Sequence, residues 1–374
     1  MIPSEIFAAT LSELLAPIAP YVADPSVSEI MINGPDQVFV ERKGRLELTS
    51  ARFASPEAVM AGLRNVAQFA GTFVDADHPI LEARLPDGSR LEAVVTPIAS
   101  GGPVVSIRRF SRSVLTLDGL CELGALSGDA AEALRAMAIA KCNVLVAGGT
   151  GSGKTSLLNV LAGCVPGGER MLVLEDTHEI EIQRTHVVYL AARKPDDRGR
   201  GEVAIRDLFR AALRMRPDRI VVGEIRGAEA LDMVQAMVSG HGGCLATLHA
   251  SHPRDTLTRL ETMCMMSEVS MPLTAIRLQI ASGIDVIVQL ARLVDGTRKV
   301  THVCEVAGFD PERGRYELTD LFERRYHGRD PGGRVLSELV PTGRLPSFTP
   351  RLREHGVELP ASMLQAAQPD AGAP

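Results

Sequence analysis

This chain of 374 residues contains few aromatic side chains and has no excess of positive charge. It contains no tryptophan and four tyrosines, whereas proteins that bind single-stranded nucleic acid use aromatic rings as platforms for stacked bases. The 46 acidic side chains outnumber the 40 lysines and arginines, which gives a formal net charge of −6. Nucleic-acid-binding domains carry a basic surface instead. Composition therefore argues against direct binding of nucleic acid.

Cysteine pairs at metal-binding spacing are also missing. The six cysteines are scattered along the chain and no CxxC pair occurs, so a zinc ribbon of ordinary ligand spacing is excluded. A disulfide framework is typical of small secreted domains and does not fit a chain of this length. We therefore expect buried, reduced thiols.

Long apolar runs are a third absence. No stretch approaches the roughly 18 to 20 apolar residues that cross a bilayer. The first residues carry Glu5 and Glu13 and lack a basic region, which does not fit a signal peptide. We therefore expect a protein that is cytoplasmic, or bound to a membrane only through its partners.

The length of the chain and its 45% of hydrophobic residues favour two globular domains. Residues 1–110 combine a helix at 4–18, a second helix at 56–69 and short strands separated by turn sequences, which predicts a small α+β domain. Residues 111–119 predict a linker.

From residue 120 to residue 325, apolar strands alternate with helices. This alternation predicts an α/β domain around a buried, mostly parallel sheet. The strands on either side of Asp295-Gly296 predict an antiparallel hairpin at the edge of that sheet. Residues 326–374 are rich in glycine, proline and arginine and predict a loosely packed extension with a disordered end.

Residues 148–155 read GGTGSGKT and match the pattern G-x-x-x-x-G-K-[ST] in full. We call this segment the phosphate loop. It lies between a predicted strand and a predicted helix, where backbone N–H groups and the helix N-terminus bind phosphate. Lys154 is predicted to reach the β- and γ-phosphates of ATP, and the Thr155 hydroxyl to ligate Mg²⁺. The predicted nucleotide-binding residues of this segment are Gly148, Gly149, Thr150, Gly151, Ser152, Gly153, Lys154, Thr155 and Ser156.

Acidic residues follow two of the predicted parallel strands, and strand C-termini form the ligand-binding edge of such a sheet. Glu175 and Asp176 end the segment MLVLED, where a carboxylate is placed to position or deprotonate water; alternatively, the pair is a solvated turn. Glu224 ends RIVVGE in a Walker B pattern, with Gly223 where many phosphate-loop ATPases have aspartate. We expect Glu224 near Mg²⁺, a role that is compatible with capping the next helix.

His249 ends a further apolar strand and is therefore expected at the same edge, where it is placed to sense the γ-phosphate. A lone histidine is more often structural, which remains the alternative for His249 and for His241. Three arginines, Arg206, Arg210 and Arg214, share one face of a predicted helix. They are either a solvated stripe or a group near a subunit interface.

The four boxes GGTGSGKT, LVLEDTHEIEI, RPDRIVVGEIRG and GHGGCLATLHA occur in this order. Together they resemble the superfamily of secretion ATPases that serves type II and type IV secretion and type IV pili. The tetracysteine zinc module of the type II secretion and pilus-extension branches is missing. The segments DPSVSEIMINGPDQVFVERKGRLELT, ARLPDGSRLEAVV and ATLHASHPRDTLTRLETM resemble the CpaF/TadA branch of Tad/Flp pilus motors. The resemblance covers residues 10–355.

This resemblance implies a PAS-like α+β domain before a RecA-like ATPase domain, assembled as a homo-hexamer that works on inner-membrane platform proteins. It implies roles in catalysis for Lys154, Glu175, Glu224 and His249, and in metal binding for Thr155 and Glu224. Four arginines of the N-terminal half also match the superfamily, namely Arg84, Arg90, Arg108 and Arg109. The first three are predicted to contact nucleotide, either in their own chain or in the next one. The catalytic domain offers no obvious arginine for that role apart from Arg226.

The sequence therefore predicts an Mg²⁺-dependent ATPase that powers a Tad/Flp-type pilus or a related secretion machine, in assembly alone or in assembly and retraction. Movement of the N-terminal domain about residues 111–119 would be the power stroke. Three alternatives remain open at this point. They are a conjugation-type secretion ATPase, a nucleic-acid translocase and a nucleotide-binding scaffold without turnover; the net acidity argues against the second, and the intact acidic residues against the third.

Overall fold

The computed structural model describes residues 15–42, 44–85, 87–109, 115–195 and 199–366. The chain separates into two compact units, Met1–Val114 and Leu115–Pro374. Among the described residues, no helix combines the length and apolar character that a bilayer crossing requires.

The N-terminal unit is an antiparallel sheet with one long helix. Its elements are a 3-10 turn (Ala16–Ile18), helix α1 (Ala19–Ala23), strands β1 (Val27–Asn33), β2 (Val38–Arg42) and β3 (Arg45–Leu48), helix α2 (Pro56–Ala70), and strands β4 (Ile80–Arg84), β5 (Arg90–Val94) and β6 (Val104–Arg108). The six strands lie in the order β3-β2-β1-β6-β5-β4. This is the predicted small α+β, PAS-like domain. The helix predicted at 4–18 falls largely outside the described residues, and its end is the 3-10 turn.

Helix α2 covers one face of this sheet. Ser55 caps its first turn by accepting a hydrogen bond from the Ala58 N–H at 3.3 Å, and the helix ends at Gly71 with φ +74°. Its buried side chains, which include Val59, Leu63 and Val66, pack with alternate residues of the strands into a single core. Among the described residues of this unit, no helix covers the opposite face of the sheet.

The larger unit is built around a single mixed sheet. Its helices are α3 (Leu117–Glu122), α4 (Gly128–Ile139), α5 (Lys154–Gly163), α6 (Ile205–Ala212), α7 (Glu229–Val238), α8 (Pro253–Met265), α9 (Leu273–Gly283), α10 (Thr349–Glu354) and α11 (Ala361–Ala366). Its strands are β7 (Val144–Gly148), β8 (Met171–Glu175), β9 (Val187–Ala191), β10 (Arg219–Val222), β11 (Leu245–Leu248), β12 (Val286–Arg292), β13 (Arg298–Asp310), β14 (Arg315–Arg329) and β15 (Val335–Pro341).

The nine strands lie in the order β15-β14-β13-β12-β7-β11-β10-β8-β9. From β12 to β9 the strands are parallel, and from β12 to β15 they are antiparallel. Strands β7, β8, β10 and β11 are buried along their whole length, because helices cover both faces and form two apolar clusters. The predicted α/β, RecA-like fold is confirmed, and the carboxyl ends of β7, β8, β10 and β11 meet at one edge.

The structure differs from the sequence prediction in one boundary, in the place of one hairpin and in the packing of the C-terminal extension. Residues 117–119, assigned to the linker, form the start of α3, and Leu117 is buried in the core of the larger unit. The hairpin at Asp295-Gly296 is antiparallel as predicted but does not lie at the edge, since β14 and β15 extend the sheet beyond it. The extension from 326 is not loose up to residue 363, because Leu352 and Met363 are fully buried against the same core. Residues 367–374 lie outside the described part.

Candidate active site

The phosphate loop lies between the end of β7 and the start of α5, and its glycines are required by its shape. Gly151 and Gly153 have φ values of +67° and +96°, a region that side chains disfavour. A Cβ atom on Gly148 would lie 2.4 Å from Ser152 Oγ and 2.8 Å from the carbonyl oxygen of Leu290. The backbone therefore turns tightly into the N-terminus of α5, as a phosphate-binding loop does.

Lys154 is the first residue of α5, and 7% of it is exposed. Its Nζ atom donates to the carbonyl oxygen of Gly149 at 3.1 Å, which also accepts a hydrogen bond from Ser152 Oγ at 2.8 Å. Thr155 is half-buried and Ser156 is exposed in the first turn of the helix. The glycine loop leaves space for phosphate groups next to the Lys154 ammonium group and the Thr155 hydroxyl group. This arrangement fits a nucleoside triphosphate with Mg²⁺.

His249 directly follows β11. Its Nε2 atom lies 3.3 Å from Lys154 Nζ and 3.3 Å from Thr150 Oγ1. An ammonium group only donates hydrogen bonds, so Nε2 accepts and the proton of the neutral imidazole is on Nδ1. Nδ1 donates in turn to Oε1 of Glu224 in a very short contact. His249 thus connects the lysine of the phosphate loop to the Walker B carboxylate.

Glu224 lies just beyond the end of β10, with 17% of its side chain exposed. Its Oε2 atom accepts a hydrogen bond from Arg226 Nε at 2.7 Å, and Arg226 also lies 3.3 Å from Asp176 Oδ2. Burial acts to raise the pKa of Glu224, but the hydrogen bonds from Arg226 and His249 outweigh burial and hold this pKa below its ordinary value. Glu224 is therefore an ionised carboxylate at neutral pH.

Glu175 ends β8 and is buried. Its Oε1 atom accepts the backbone N–H groups of Glu179 and Ile180, each at 2.9 Å, and Oε2 lies 3.0 Å from His178 Nδ1. Burial raises the pKa of Glu175, and these hydrogen bonds lower it by less. A Cβ atom on Gly223 would lie 3.0 Å from Glu175 Cγ, so the glycine in the Walker B box makes room for this side chain.

The strand edge thus assembles the predicted residues in two groups. Lys154, His249 and Glu224 form one hydrogen-bonded chain. Glu175 stands on the neighbouring strand β8, where among the described residues its carboxylate bonds to 178–180. His241 lies outside both groups, in the turn after α7.

Arg84, Arg90 and Arg108 lie side by side on three strands of the N-terminal sheet. The register pairs Arg108 with Arg90, and Arg90 with Arg84. Neighbouring positions along these strands belong to the core under α2, so the three side chains share the opposite face. Arg84 Nε donates to the carbonyl oxygen of Gly88 at 3.2 Å, and Arg90 lies 3.6 Å from Glu82. We call these three residues the arginine row.

Arg109 differs from the arginine row. Its guanidinium donates to the carbonyl oxygen of Val27 at 3.1 Å and to that of Asp24 at a shorter distance. These contacts fasten the end of β6 to the start of β1. Arg109 therefore stabilises the sheet through these contacts, whereas the neighbouring Arg108 is exposed.

The arginines of helix α6 are engaged within the unit. Arg206 Nε and Arg210 Nε lie 2.7 Å and 3.0 Å from the two carboxylate oxygens of Asp232 on α7. Arg214 follows the helix and is exposed. Two of the three therefore tie one helix to the next, an arrangement that helical spacing alone does not reveal.

Sequence reasoning missed a contact to the phosphate loop from the hairpin between β12 and β13. Arg298 Nε donates to the carbonyl oxygen of Gly151 at 2.8 Å. Arg292, its partner across the hairpin, has Nη1 3.5 Å from the position of a Cβ atom on Gly151. The sequence shows only that two arginines flank the turn Asp295-Gly296 in RLVDGTR, and gives no signal that the hairpin reaches the phosphate loop.

A cavity of about 500 Å³ adjoins the site at His249 and Arg226. His249 and Arg226 form one end of it, and Asp255, Arg259 and other residues along one side of α8 line the rest. His249 therefore borders an open cavity as well as the phosphate loop.

Residues 12–333 of the chain match the family described as "Type II/IV secretion system protein". Putative conjugal transfer protein Rv3659c of Mycobacterium tuberculosis is 34% identical over 82% of this chain and 87% of the relative. Conjugal transfer protein TrbB of Rhizobium radiobacter is 33% identical over 76% and 85%, and type IV secretion system protein PtlH of Bordetella pertussis is 32% identical over 74% and 89%.

Two solved structures share the fold. The ATPase DotB of Legionella pneumophila has a TM-score of 0.54 at 21% identity and covers 82% of each chain. The pilus retraction motor PilT with bound ADP has a TM-score of 0.53 at 17% identity, over 94% of this chain and 89% of PilT. On the evidence of the matched residues and of these relatives, the chain belongs to the Type II/IV secretion system protein family.

Proposed function

We propose that the protein hydrolyses ATP in an Mg²⁺-dependent reaction and uses the energy to drive a secretion or pilus machine. The observation that carries the proposal is the chain of contacts from Lys154 through His249 to Glu224 at the mouth of the phosphate loop. A loop that only held a nucleotide would not need an ionised carboxylate and a histidine at this position. Phosphoryl transfer to water depends on such positioned charges.

Each residue has a defined task in this reaction. The backbone of the phosphate loop and Lys154 bind the phosphates. Thr155 and Glu224 would hold Mg²⁺, which when bound neutralises charge on the β- and γ-phosphates. His249, held as the neutral Nδ1–H tautomer by Glu224, accepts from Lys154 at Nε2 and so positions the ammonium group for the γ-phosphate. Glu175, whose pKa burial raises, is the candidate to orient and deprotonate the attacking water.

We further propose that the active form is a homo-hexamer at the inner face of the cytoplasmic membrane, bound there by inner-membrane platform proteins. The arginine row supports this assembly, because three adjacent guanidinium groups on one face of a sheet suit a polyanion such as a triphosphate. The cavity beside His249 supplies the space for such a group from another chain.

For the machine itself, the first candidate is a Tad/Flp-type pilus, because of the resemblance of the N-terminal half and of the segment after His249. The second is a conjugation-type secretion system, which the names of the relatives from Mycobacterium, Rhizobium and Bordetella favour. Deleting the gene from its host distinguishes them. Loss of surface pili with normal transfer of DNA and protein supports the first, and the reverse result supports the second.

The activity is tested by phosphate release from ATP with purified protein, in the presence and absence of Mg²⁺. Lys154→Ala removes the fixed charge at the transferring phosphate, which typically costs several kcal/mol of transition-state stabilisation. Lys194→Ala, a change at an exposed lysine, is the matched control and should keep wild-type turnover. Phosphate release by Lys154→Ala near the wild-type rate would overturn the assignment of the site.

A further inference from the structure

Two arginines face each other at the mouth of the hairpin between β12 and β13. Arg292 is the last residue of β12, Arg298 is the first of β13, and the register pairs them directly. Like charges in directly opposed positions of an antiparallel pair destabilise it. Both side chains are exposed, and Arg298 has no carboxylate within salt-bridge distance in the part of the chain that the structure describes. The register therefore brings two guanidinium groups to the same end of the hairpin.

The phosphate loop lies next to this pair. Besides its hydrogen bond to Gly151, Arg298 has its Cδ atom 3.4 Å from the position of a Cβ atom on Gly153. Arg292 approaches Gly151 from the other strand. The Nε atom of Arg298 is used by the carbonyl oxygen of Gly151, so the two terminal nitrogens of the guanidinium are the donors for a ligand.

The hairpin is held rigidly where it meets the loop. In the turn, the Asp295 carboxylate accepts hydrogen bonds from Thr297 Oγ1 at 2.7 Å and from the backbone N–H of Val335 at 2.7 Å. Lys299, next to Arg298, donates from Nζ to the carbonyl oxygens of Leu123 and Gly124, at 3.1 Å and 2.8 Å. The sheet and these contacts therefore fix the backbone that presents both arginines.

The strand order places this pair on one side of the bound nucleotide. Strand β12 flanks β7 on one side, and β11, β10 and β8 lie on the other. His249, Glu224 and Glu175 follow those three strands, so the γ-phosphate and the attacking water belong to their side of the phosphate loop. The α-phosphate and the nucleoside of ATP should therefore lie on the side of the loop that faces the hairpin.

We propose that Arg292 and Arg298 bind the nucleoside end of the ATP molecule, with their guanidinium groups at the α-phosphate and against the base. A guanidinium group suits both partners, since it donates paired hydrogen bonds to phosphate oxygens and stacks on aromatic rings. This inference rests on the proposed function. It adds that one set of residues binds the γ-phosphate end of ATP and a second set, Arg292 and Arg298, binds the nucleoside end. The pair contributes to affinity and contacts neither the γ-phosphate nor the attacking water.

The test compares the binding of ATP and ADP, each with Mg²⁺, to the full-length protein and its variants by equilibrium fluorescence. Arg292→Ala/Arg298→Ala should weaken ATP and ADP by the same factor, roughly tenfold or more for two charge-assisted hydrogen bonds. Arg292→Lys/Arg298→Lys, which keeps both charges, should recover part of the affinity. Arg315→Ala, at the far end of the long strands β13 and β14, is the matched control and should bind like the wild type.

Two results would overturn the inference. One is unchanged affinity of the alanine double variant for both nucleotides. The other is a loss confined to ATP, which would place the arginines at the γ-phosphate. Both outcomes are distinct from failure of the proposed function, in which the wild-type protein itself neither binds nor hydrolyses ATP. Circular dichroism of the variants shows whether a loss of binding reflects unfolding, and the lysine variants test the contact if the alanine variants do not fold.

Discussion

Nε2 of His249 lies 3.3 Å from Nζ of Lys154, and the imidazole therefore accepts a hydrogen bond from the ammonium group of the phosphate loop. This contact fixes the tautomer of the histidine without any ligand. Lys154 and His249 thus hold each other in place at the mouth of the phosphate loop.

The first prediction concerns Arg226 and the pH dependence of catalysis. Hydrogen bonding to Arg226 lowers the pKa of Glu224, so removing it in Arg226→Ala should raise that pKa. Because the ionised carboxylate is the functional form, activity is present above this pKa and is lost as the pH falls through it. The acid limb of the profile of kcat/KM against pH should therefore move to higher pH. Arg226→Lys should move it less, and an acid limb that stays in place in both variants would contradict the proposed coupling.

The second prediction separates Glu175 from Glu224. Both Glu→Gln changes keep the volume of the side chain and remove its charge. Glu175→Gln should bind Mg-ATP as the wild type does while turnover collapses, because the group that handles water is lost. Glu224→Gln should need more Mg²⁺ for half-maximal activity, because a carboxylate near the metal is lost. The measurement is a Mg²⁺ titration of ATP binding and of phosphate release, and superimposable titrations of the two variants would refute this division of roles.

The third prediction is that the arginine row completes the site of a neighbouring subunit. An arginine supplied from another chain is worth roughly 10³- to 10⁵-fold in rate for phosphate-loop enzymes. Subunits carrying Arg84→Ala/Arg90→Ala should be inactive alone, as should Lys154→Ala subunits. Mixed assemblies should recover part of the activity, because some sites then combine an intact phosphate loop with an intact arginine row.

The control for this mixing experiment is Arg64→Ala, an exposed arginine on α2 at the other face of the N-terminal sheet. It should be active alone. If mixed assembly is verified by mass and no ratio of the two inactive proteins restores phosphate release, the arginines act within their own chain or only in folding.

The fourth prediction concerns the end of the chain. Leu352 of α10 is fully buried in the core of the larger unit, whereas Leu364 of α11 is 39% exposed. Leu352→Ala should lower the free energy of unfolding by about 2–5 kcal/mol, and Leu364→Ala by far less. Urea unfolding followed by circular dichroism measures both, and equal midpoints for the two variants would show that the extension contributes little to the core.

Much of the catalytic unit could be predicted because its signals are local. A fully apolar strand, a glycine-rich turn and a helix stand next to each other in the sequence around Lys154, and their order alone defines the phosphate loop. The acids that end β8 and β10 follow from the rule that parallel strands share one carboxyl edge. The contact between His249 and Lys154 goes beyond that rule, because it depends on β11 lying next to β7.

What sequence reasoning missed depends on long-range packing. Strand β9 (VVYLA) is apolar throughout but was not predicted; it lies at the edge of the sheet, pairs with β8, and has only half-buried and exposed residues. The segment after 326 has the composition of a loose tail, yet β15 pairs with β14 and the helices that follow bury leucine and methionine. Arg298 reaches the phosphate loop only because β12 pairs with β7, which no pattern within the hairpin expresses.

Gly223 and Glu175 come from neighbouring strands and occupy one shared volume, since a Cβ atom at position 223 would press on the side chain of Glu175. The adjacent ends of β8 and β10 therefore carry one carboxylate at this position, that of Glu175. An aspartate at position 223 would add a second one beside it. Two carboxylates so close would not both stay ionised, and one would keep its proton at neutral pH. The glycine at position 223 thus limits the negative charge at the carboxyl ends of these two strands.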